Sequence, residues 1–361
     1  MTERLLGVDA ARAVALAGMF ATHTLPLVDD DGAPSMTGLL ADGRSSALFA
    51  VLAGVGIALS TRGLADGRAH AAAGAGLVVR GALVGLLGLA LAGLDPPVAV
   101  ILAYYGLLFA VAVPLLRLRA PALAAGAAVM VVAGPVLSHL LRAGLPDGPG
   151  PQADLGSLAD PGQLFLTLTL TGYYPVLPWT AYLLAGMAVG RLDLRTPRVA
   201  GALAAGGAAL AVAASVSSAV LRATGNVPEV TGRQYGSTPP TTWWWLAVDT
   251  PHSATPFDLA HTTGTALAVI GLALLLPRAV LWLPAAVGAV PLTLYTGHVL
   301  WLAAQPTDGL PTLLVHLAAA VVTGVVLRLC GVRGPLETAV SAPGRALRRV
   351  AARPGGSPLR T

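Results

Sequence analysis

The sequence predicts an all-α, polytopic transmembrane helix bundle of about ten spans with both termini cytoplasmic. Three observations predict it. Apolar residues make up 55% of the 361-residue chain, and mean hydropathy is +0.74. Charged residues make up only 11%, less than half of the roughly 25% typical of soluble globular chains. Apolar stretches long enough to cross a bilayer, about 20 residues, recur along the chain. A single-core soluble enzyme is thereby excluded, and so is disorder, which needs few apolar residues.

The elements follow in order, from hydropathy. Span one covers 5–28. Asp9 and Arg12 interrupt its apolar run, and Arg4 alone precedes it, so it reads as a retained helix rather than a cleaved signal. Span two is 44–61, span three 74–93, span four 97–116 and span five 120–142. The connection 143–172 ends in QLFLTLTLTG, which is apolar but too short to cross and reads as a re-entrant or interfacial piece. Span six is 173–190, span seven 199–221, span eight 257–276, span nine 280–303 and span ten 309–328. Residues 1–334 form the membrane domain, and 335–361 a basic, Pro- and Gly-containing cytoplasmic tail.

Charge placement supports this order. All 22 basic residues are arginines. With the N-terminus inside, only Arg44, Arg142, Arg222 and Arg233 fall outside, while Asp29, Asp42, Asp147, Asp154, Glu229 and Asp249 are among the outer acids. An excess of basic residues in cytoplasmic loops sets orientation. The pI near 9.9 therefore reports topology, and no nucleic-acid partner is expected. The single cysteine, Cys330, excludes an intrachain disulfide and a cysteine metal cluster.

Ionisable groups inside spans are expensive and mark candidate sites. Arg12 and His23 are eleven residues apart, about three helical turns, so they share a face and lie roughly 16 Å apart along it. Asp9 sits one turn below Arg12. That face lines the bundle interior, either as a structural ion pair with a terminal histidine or as a catalytic stripe. Six of the seven histidines (His23, His139, His252, His261, His298 and His316) fall in the expected outer half, while His70 is inside. Neutral imidazoles suit proton abstraction, although any one of them can equally be a hydrogen-bonded packing residue. Their spacing carries no metal signature, so no metal is expected.

Two further clusters stand out. PLTLYTGHVLW places Tyr295 and His298 in span nine. VDTPHSATPFDLAHT gathers Asp249, His252, Ser253 and Asp258, without the Gly-flanked elbow of a serine hydrolase. Trp243, Trp244 and Trp245 fit an interfacial aromatic belt or a carbohydrate-stacking surface. No phosphate-binding loop of the Walker A kind is present, which argues against ATP-driven transport.

RLLGVDAARAVALAGMFATH resembles the opening helix of the integral-membrane acyltransferases, in which an Arg and a His are separated by ten residues, here Arg12 and His23. GRSSALFAVLAGVGIAL resembles their second helix. YYPVLPWTAYLLAGMAVGRL, TPHSATPFDLAHTTGTALAVIG and VPLTLYTGHVLW are similar to segments of the heparan-α-glucosaminide N-acetyltransferase-like bacterial membrane proteins. The chain departs from the pattern at Ala13, where a Gly is usual. In the eukaryotic lysosomal enzymes an Asn tends to stand at the His23 position, and no other His occurs here between Thr24 and Gly43.

The resemblance implies transfer of an acetyl or other acyl group from cytoplasmic acyl-CoA to a carbohydrate or cell-envelope acceptor outside a bacterial cytoplasmic membrane. His23 is then the catalytic base or acyl carrier, with Arg12 and Asp9 below it. Arg44, His252, Tyr295 and His298 are expected around the acceptor, and Arg62, Arg68 and Arg80 around the donor phosphates. Lipid and a homo-oligomer are the other expected partners. The competing expectation is a proton-coupled transporter or a non-catalytic protein of the same fold.

Overall fold

The computed structural model describes residues 4–64, 66–145, 150–230 and 232–351. Among them there is no strand, only an isolated bridge between Val28 and Pro34. The helices are α1 (Leu6–Thr24), α2 (Met36–Leu40), α3 (Arg44–Ser60), α4 (Gly67–Ala92), α5 (Leu102–Ala112), α6 (Ala120–Leu141) and α7 (Pro161–Leu166). They continue with α8 (Val176–Arg191), α9 (Pro197–Thr224), α10 (Pro256–Leu275), α11 (Arg278–Val287), α12 (Pro291–Ala304), α13 (Gly309–Leu329) and α14 (Pro335–Ala351). Every expected span contains helix. Among the described residues six helical segments, one of them running through α2 and α3, are long and apolar enough to cross a membrane, or seven if α11 and α12 count as one bent span. The shorter α1, α5 and α8 are not among the six.

Small residues set the packing. A Cβ on Gly186 of α8 would meet the Val51 carbonyl of α3 at 1.9 Å, and one on Gly54 would meet the Leu183 carbonyl at 2.4 Å. These two backbones therefore touch where only glycine fits, as membrane helices do when lipid supplies no hydrophobic drive between them. α1, α3 and α8 form the buried centre, with Leu16, Phe20, Leu52, Leu183 and Met187 almost fully enclosed. α6, α9 and α13 stand outside. Val212, Val216 and Val220 of α9 and Val322 and Val326 of α13 are each more than half exposed. Their spacing puts them on one face of each helix, a stripe that suits hydrocarbon and not water.

Span nine, expected as one helix over 280–303, is broken. α11 and α12 meet at 50°. Pro291 has no N–H to continue the ladder and pushes the preceding residue out of the helical region; Val290 sits at φ −132°, ψ 48°. Gly288 lies at the break, where a Cβ would come within 1.7 Å of the Asp9 carbonyl. Span four also starts later than expected, because Asp95 to Val100 form a loop ahead of α5. The stretch 335–361, read as a tail, opens with helix α14, whose Gly344 backbone lies against Gly76 of α4. Residues 352–361, with Arg353 and Arg360, lie outside the described residues, as does Asp147.

Candidate active site

A cavity of about 460 Å³ opens at the end of the bundle where α1 finishes. Its walls are the loop before α5 (Asp95 to Ala99), Tyr173 and Tyr174 ahead of α8, and Arg233 to Tyr235 of the connection before α10. A recess of about 20 Å³, roughly one water in size, adjoins it and is lined by Ser45, Ser46, Ile101 and Tyr295. Thr22, His23, Tyr174, Arg233 and His252 line both.

His23 enters from the last turn of α1. Its Nδ1 lies 3.0 Å from Nε2 of His298, and Nδ1 of His298 lies 3.1 Å from Nδ1 of His316. Phe20, one turn below His23, stacks on His298 with ring centroids 4.2 Å apart. With Nδ1 engaged, Nε2 is the His23 nitrogen left to meet a substrate in the cavity. His298 itself does not line the cavity; it stands behind His23. Among the described residues no group of three His, Cys, Asp or Glu side chains could hold a metal.

Across the cavity stands a second polar centre. Asp42 accepts from Arg233 at 2.9 Å and lies 3.3 Å from Nε2 of His252. The three come from the turn before α3 and from two distant parts of one long connection. His252 has a φ of 61°, Ala254 49° and Asp95 52°, the only non-glycine residues with positive φ among those described. Two of the three line the cavity. Such backbone is costly, about 1–3 kcal/mol each, and gathers where surrounding structure holds a site in shape. The Gly236 N–H, donating to the His252 carbonyl at 2.7 Å, pins the strained segment.

Aromatic rings form one wall. Tyr173 meets Tyr235 edge-on at 5.2 Å, and Tyr174 meets Tyr104 at 5.5 Å and His252 at 5.9 Å. Tyr295 lines the recess and its hydroxyl accepts from the Ile101 N–H at 3.4 Å. Trp179 backs this wall, meeting Tyr174 edge-on at 5.1 Å, whereas Trp243, Trp244 and Trp245 are not among the residues lining the cavity. Trp243 lies against His139 with ring centroids 4.6 Å apart and planes tilted by 31°, and Trp245 is buried.

Other expected site residues are placed elsewhere. Asp9 and Arg12 lie toward the opposite end of α1. Asp9 is buried, accepting from Arg12 at 2.6 Å and from Arg4, and its carbonyl meets the α11–α12 break. Arg44 is absent from the cavity lining; its Nη1 donates to the Asp42 carbonyl at 3.3 Å. Ser253 is buried beside Thr255, and the Asp258 carboxylate accepts from the Ala254 N–H at 2.9 Å. With His252 directed at Asp42, the Ser253 cluster makes no hydrolase triad.

The other end of the bundle carries a cavity of about 510 Å³ lined by His70, Arg117, Arg119 and Arg191. α8 connects the two cavities, with Tyr173 and Tyr174 just ahead of its start and Arg191 at its end, roughly 22 Å along the axis. Of the three arginines expected at the donor, Arg62 caps α8 by donating to the Gly190 carbonyl at 2.8 Å and to the Leu192 carbonyl. Arg80 lies over the Phe109 ring at 5.3 Å, and Arg68 is exposed at the start of α4. None of the three lines this cavity.

Asp42, Arg233, Tyr173 and Tyr174 were not singled out as site residues in the sequence, although Tyr173 and Tyr174 open the segment YYPVLPWTAYLLAGMAVGRL. Arg233 did leave a signal, as one of only four arginines against the charge bias. The family described as heparan-alpha-glucosaminide N-acetyltransferase, catalytic, matches residues 4–219. That span includes Asp9, Arg12, His23, Asp42 and Tyr174 and stops short of Arg233, His252, Tyr295, His298 and His316. No curated protein matches the chain.

Proposed function

On the premise that this chain belongs to the heparan-alpha-glucosaminide N-acetyltransferase catalytic family, we propose that it moves an acetyl group from cytoplasmic acetyl-CoA to a carbohydrate hydroxyl or amine outside a bacterial cytoplasmic membrane. The ten-span topology with both termini inside is part of this reading. So are the membrane it sits in and a homo-oligomeric state compatible with the apolar outer faces of α9 and α13. The observation that carries the proposal is His23: one ring nitrogen is held by His298 while the ring lines a cavity faced by Arg233.

The donor phosphates fit the Arg191 end better than the three arginines first expected. Arg117 and Arg119 with His70 line a cavity there, beside an Arg191 that donates to the Ala58 carbonyl at 3.1 Å and to the Leu116 carbonyl, and guanidinium groups pair with phosphate through two parallel hydrogen bonds. The donor's long pantetheine arm would then bridge the length of α8. At the other end His23 Nε2 takes the proton from the acceptor as its oxygen or nitrogen bonds to the acyl carbon. The carbon–sulfur bond breaks, and His23 returns that proton to the departing sulfur. Arg233, oriented by Asp42, offers its remaining N–H groups to the oxyanion. Tyr173, Tyr174 and Tyr235 supply flat apolar faces with polar tips for a sugar ring. Arg12 and Asp9 keep α1 and α11 in register below.

One observation favours the alternative of a proton-coupled transporter, the bend between α11 and α12, since transporters use broken helices. Those breaks come in paired halves, and among the described residues a single bent pair is found. The deciding experiment incubates purified protein with labelled acetyl-CoA and measures CoA release. We expect His23→Ala to lose at least 100-fold, the lower range of general acid–base catalysis. Equal release by wild type and variant refutes the assignment of His23, and no release from any acyl-CoA shifts the reading to transport.

A further inference from the structure

Three imidazoles form a file through the bundle, His23 of α1, His298 of α12 and His316 of α13. The N···N separations of 3.0 and 3.1 Å are hydrogen-bond distances. The rings are arranged in series. They do not converge on a common point, and a metal needs convergence. Both nitrogens of His298 are engaged, one by each neighbour. A neutral imidazole has one N–H and one lone pair, so His298 donates at one end and accepts at the other. The file therefore has a direction, and only two proton arrangements satisfy both bonds with all three rings neutral. One leaves His23 with a bare Nε2 toward the cavity and puts the last N–H on His316 Nε2. The other puts a proton on His23 Nε2 and makes it useless as a base.

The surroundings hold the file rigidly. Phe20 stacks on His298, and Trp301 meets His316 edge-on at 5.4 Å. His298 and His316 are 3% and 5% exposed, so water does not compete for their nitrogens. His316 Nε2 is buried with no hydrogen-bond partner, so the first arrangement leaves a buried N–H unpaired at that end, and it is the base role of His23 that selects it.

We infer that His298, backed by His316, is a positioning residue: it accepts the Nδ1–H of His23 and thereby fixes the tautomer whose Nε2 is free to take the acceptor's proton. This rests on the reading of His23 as the base. A partner that holds an imidazole in one tautomer supports the base directly, since the wrong tautomer has no lone pair where the proton must go. His298 touches neither acceptor nor donor in this role, in contrast to its expected place at the acceptor.

The test uses full-length protein labelled with 15N-histidine in nanodiscs, read by NMR for the protonation of each ring nitrogen, beside the acetyl-CoA turnover assay. His23 is expected with Nδ1 protonated and Nε2 bare. In His298→Leu we expect Nε2–H to appear on His23 and kcat to fall about 100-fold, with the KM for acetyl-CoA within about twofold. His298→Gln keeps an acceptor oxygen for Nδ1–H and is expected to recover most of the loss and the wild-type shifts. His316→Leu, which cuts the file one ring later, supplies the same comparison if the His298 variants do not fold. Wild-type His23 with Nε2 protonated overturns the inference. So does a His298→Leu protein, or where that fails to fold a His316→Leu protein, whose His23 shifts match wild type. Activity in His23→Ala would sink the base reading alone, since the NMR arm reads the tautomer without turnover.

Discussion

Asp9 and Asp42 are two solutions to the same problem, a carboxylate buried in an apolar bundle. Their side chains are 3% and 10% exposed. Each is compensated by two nitrogen-bearing partners, as a buried charge must be. Asp9 finds them within its own stretch of chain, Arg12 one turn on and Arg4 just before α1. Asp42 finds them far away, in Arg233 and His252. The difference shows in what surrounds each. Asp9 lies against the Gly288 backbone, away from both cavities at the His23 end, and locks α1 to the α11–α12 break. Asp42 sits behind two residues that line a cavity. A locally satisfied pair builds a scaffold, while a pair assembled from distant loops sets the shape of a site.

Substitutions test that contrast. The largest effect should be on stability. Asp9→Ala leaves Arg12 without its partner in a part-buried setting and is expected to cost about 3 kcal/mol, measured by thermal unfolding in detergent. A variant that melts with wild type yet has lost turnover would break the comparison by giving Asp9 a chemical role. Asp42→Asn should do the reverse. Loosening Arg233 as an oxyanion donor is expected to lower kcat/KM by up to about a hundredfold, with little change in melting because the Arg233 side chain is 42% exposed. Equal losses of stability in the two variants would show that both carboxylates are scaffold.

At the other end of α8, Arg117→Ala should raise the KM for acetyl-CoA about tenfold and weaken its dependence on salt, with kcat kept. The smallest change is expected from Glu337→Gln. Glu337 accepts from the Leu292 and Thr293 N–H groups and the Thr293 hydroxyl, capping α12. Weakening a cap costs about 1 kcal/mol, seen as a modest fall in melting temperature.

The contrast also explains what the sequence could reveal. Asp9 and Arg12 are an i, i+3 pair, and the helical repeat alone puts them together. His23 was legible for the same reason, eleven residues further along one face. Asp42 and Arg233 are 191 residues apart, and their meeting depends on how a loop folds over the bundle, which no local periodicity encodes. The break in span nine was legible in principle from Gly288 and Pro291. It was hidden because hydropathy runs unbroken through 280–303 and responds to composition rather than to a missing N–H. The file of His298 and His316 behind His23 needed helix neighbours, and sequence order says nothing of which helices touch.

The cap on α12 has a consequence for how the protein is made. Leu292 and Thr293 take their carboxylate from a residue 45 and 44 positions further along the chain. While the ribosome is still short of Glu337, the helix bearing Tyr295 and His298 begins with unsatisfied N–H groups at its bend. The cap therefore closes only after α14 has been translated and has folded back against α4. A chain that ends before Glu337 would hold His298 on a helix whose first turn lacks its carboxylate.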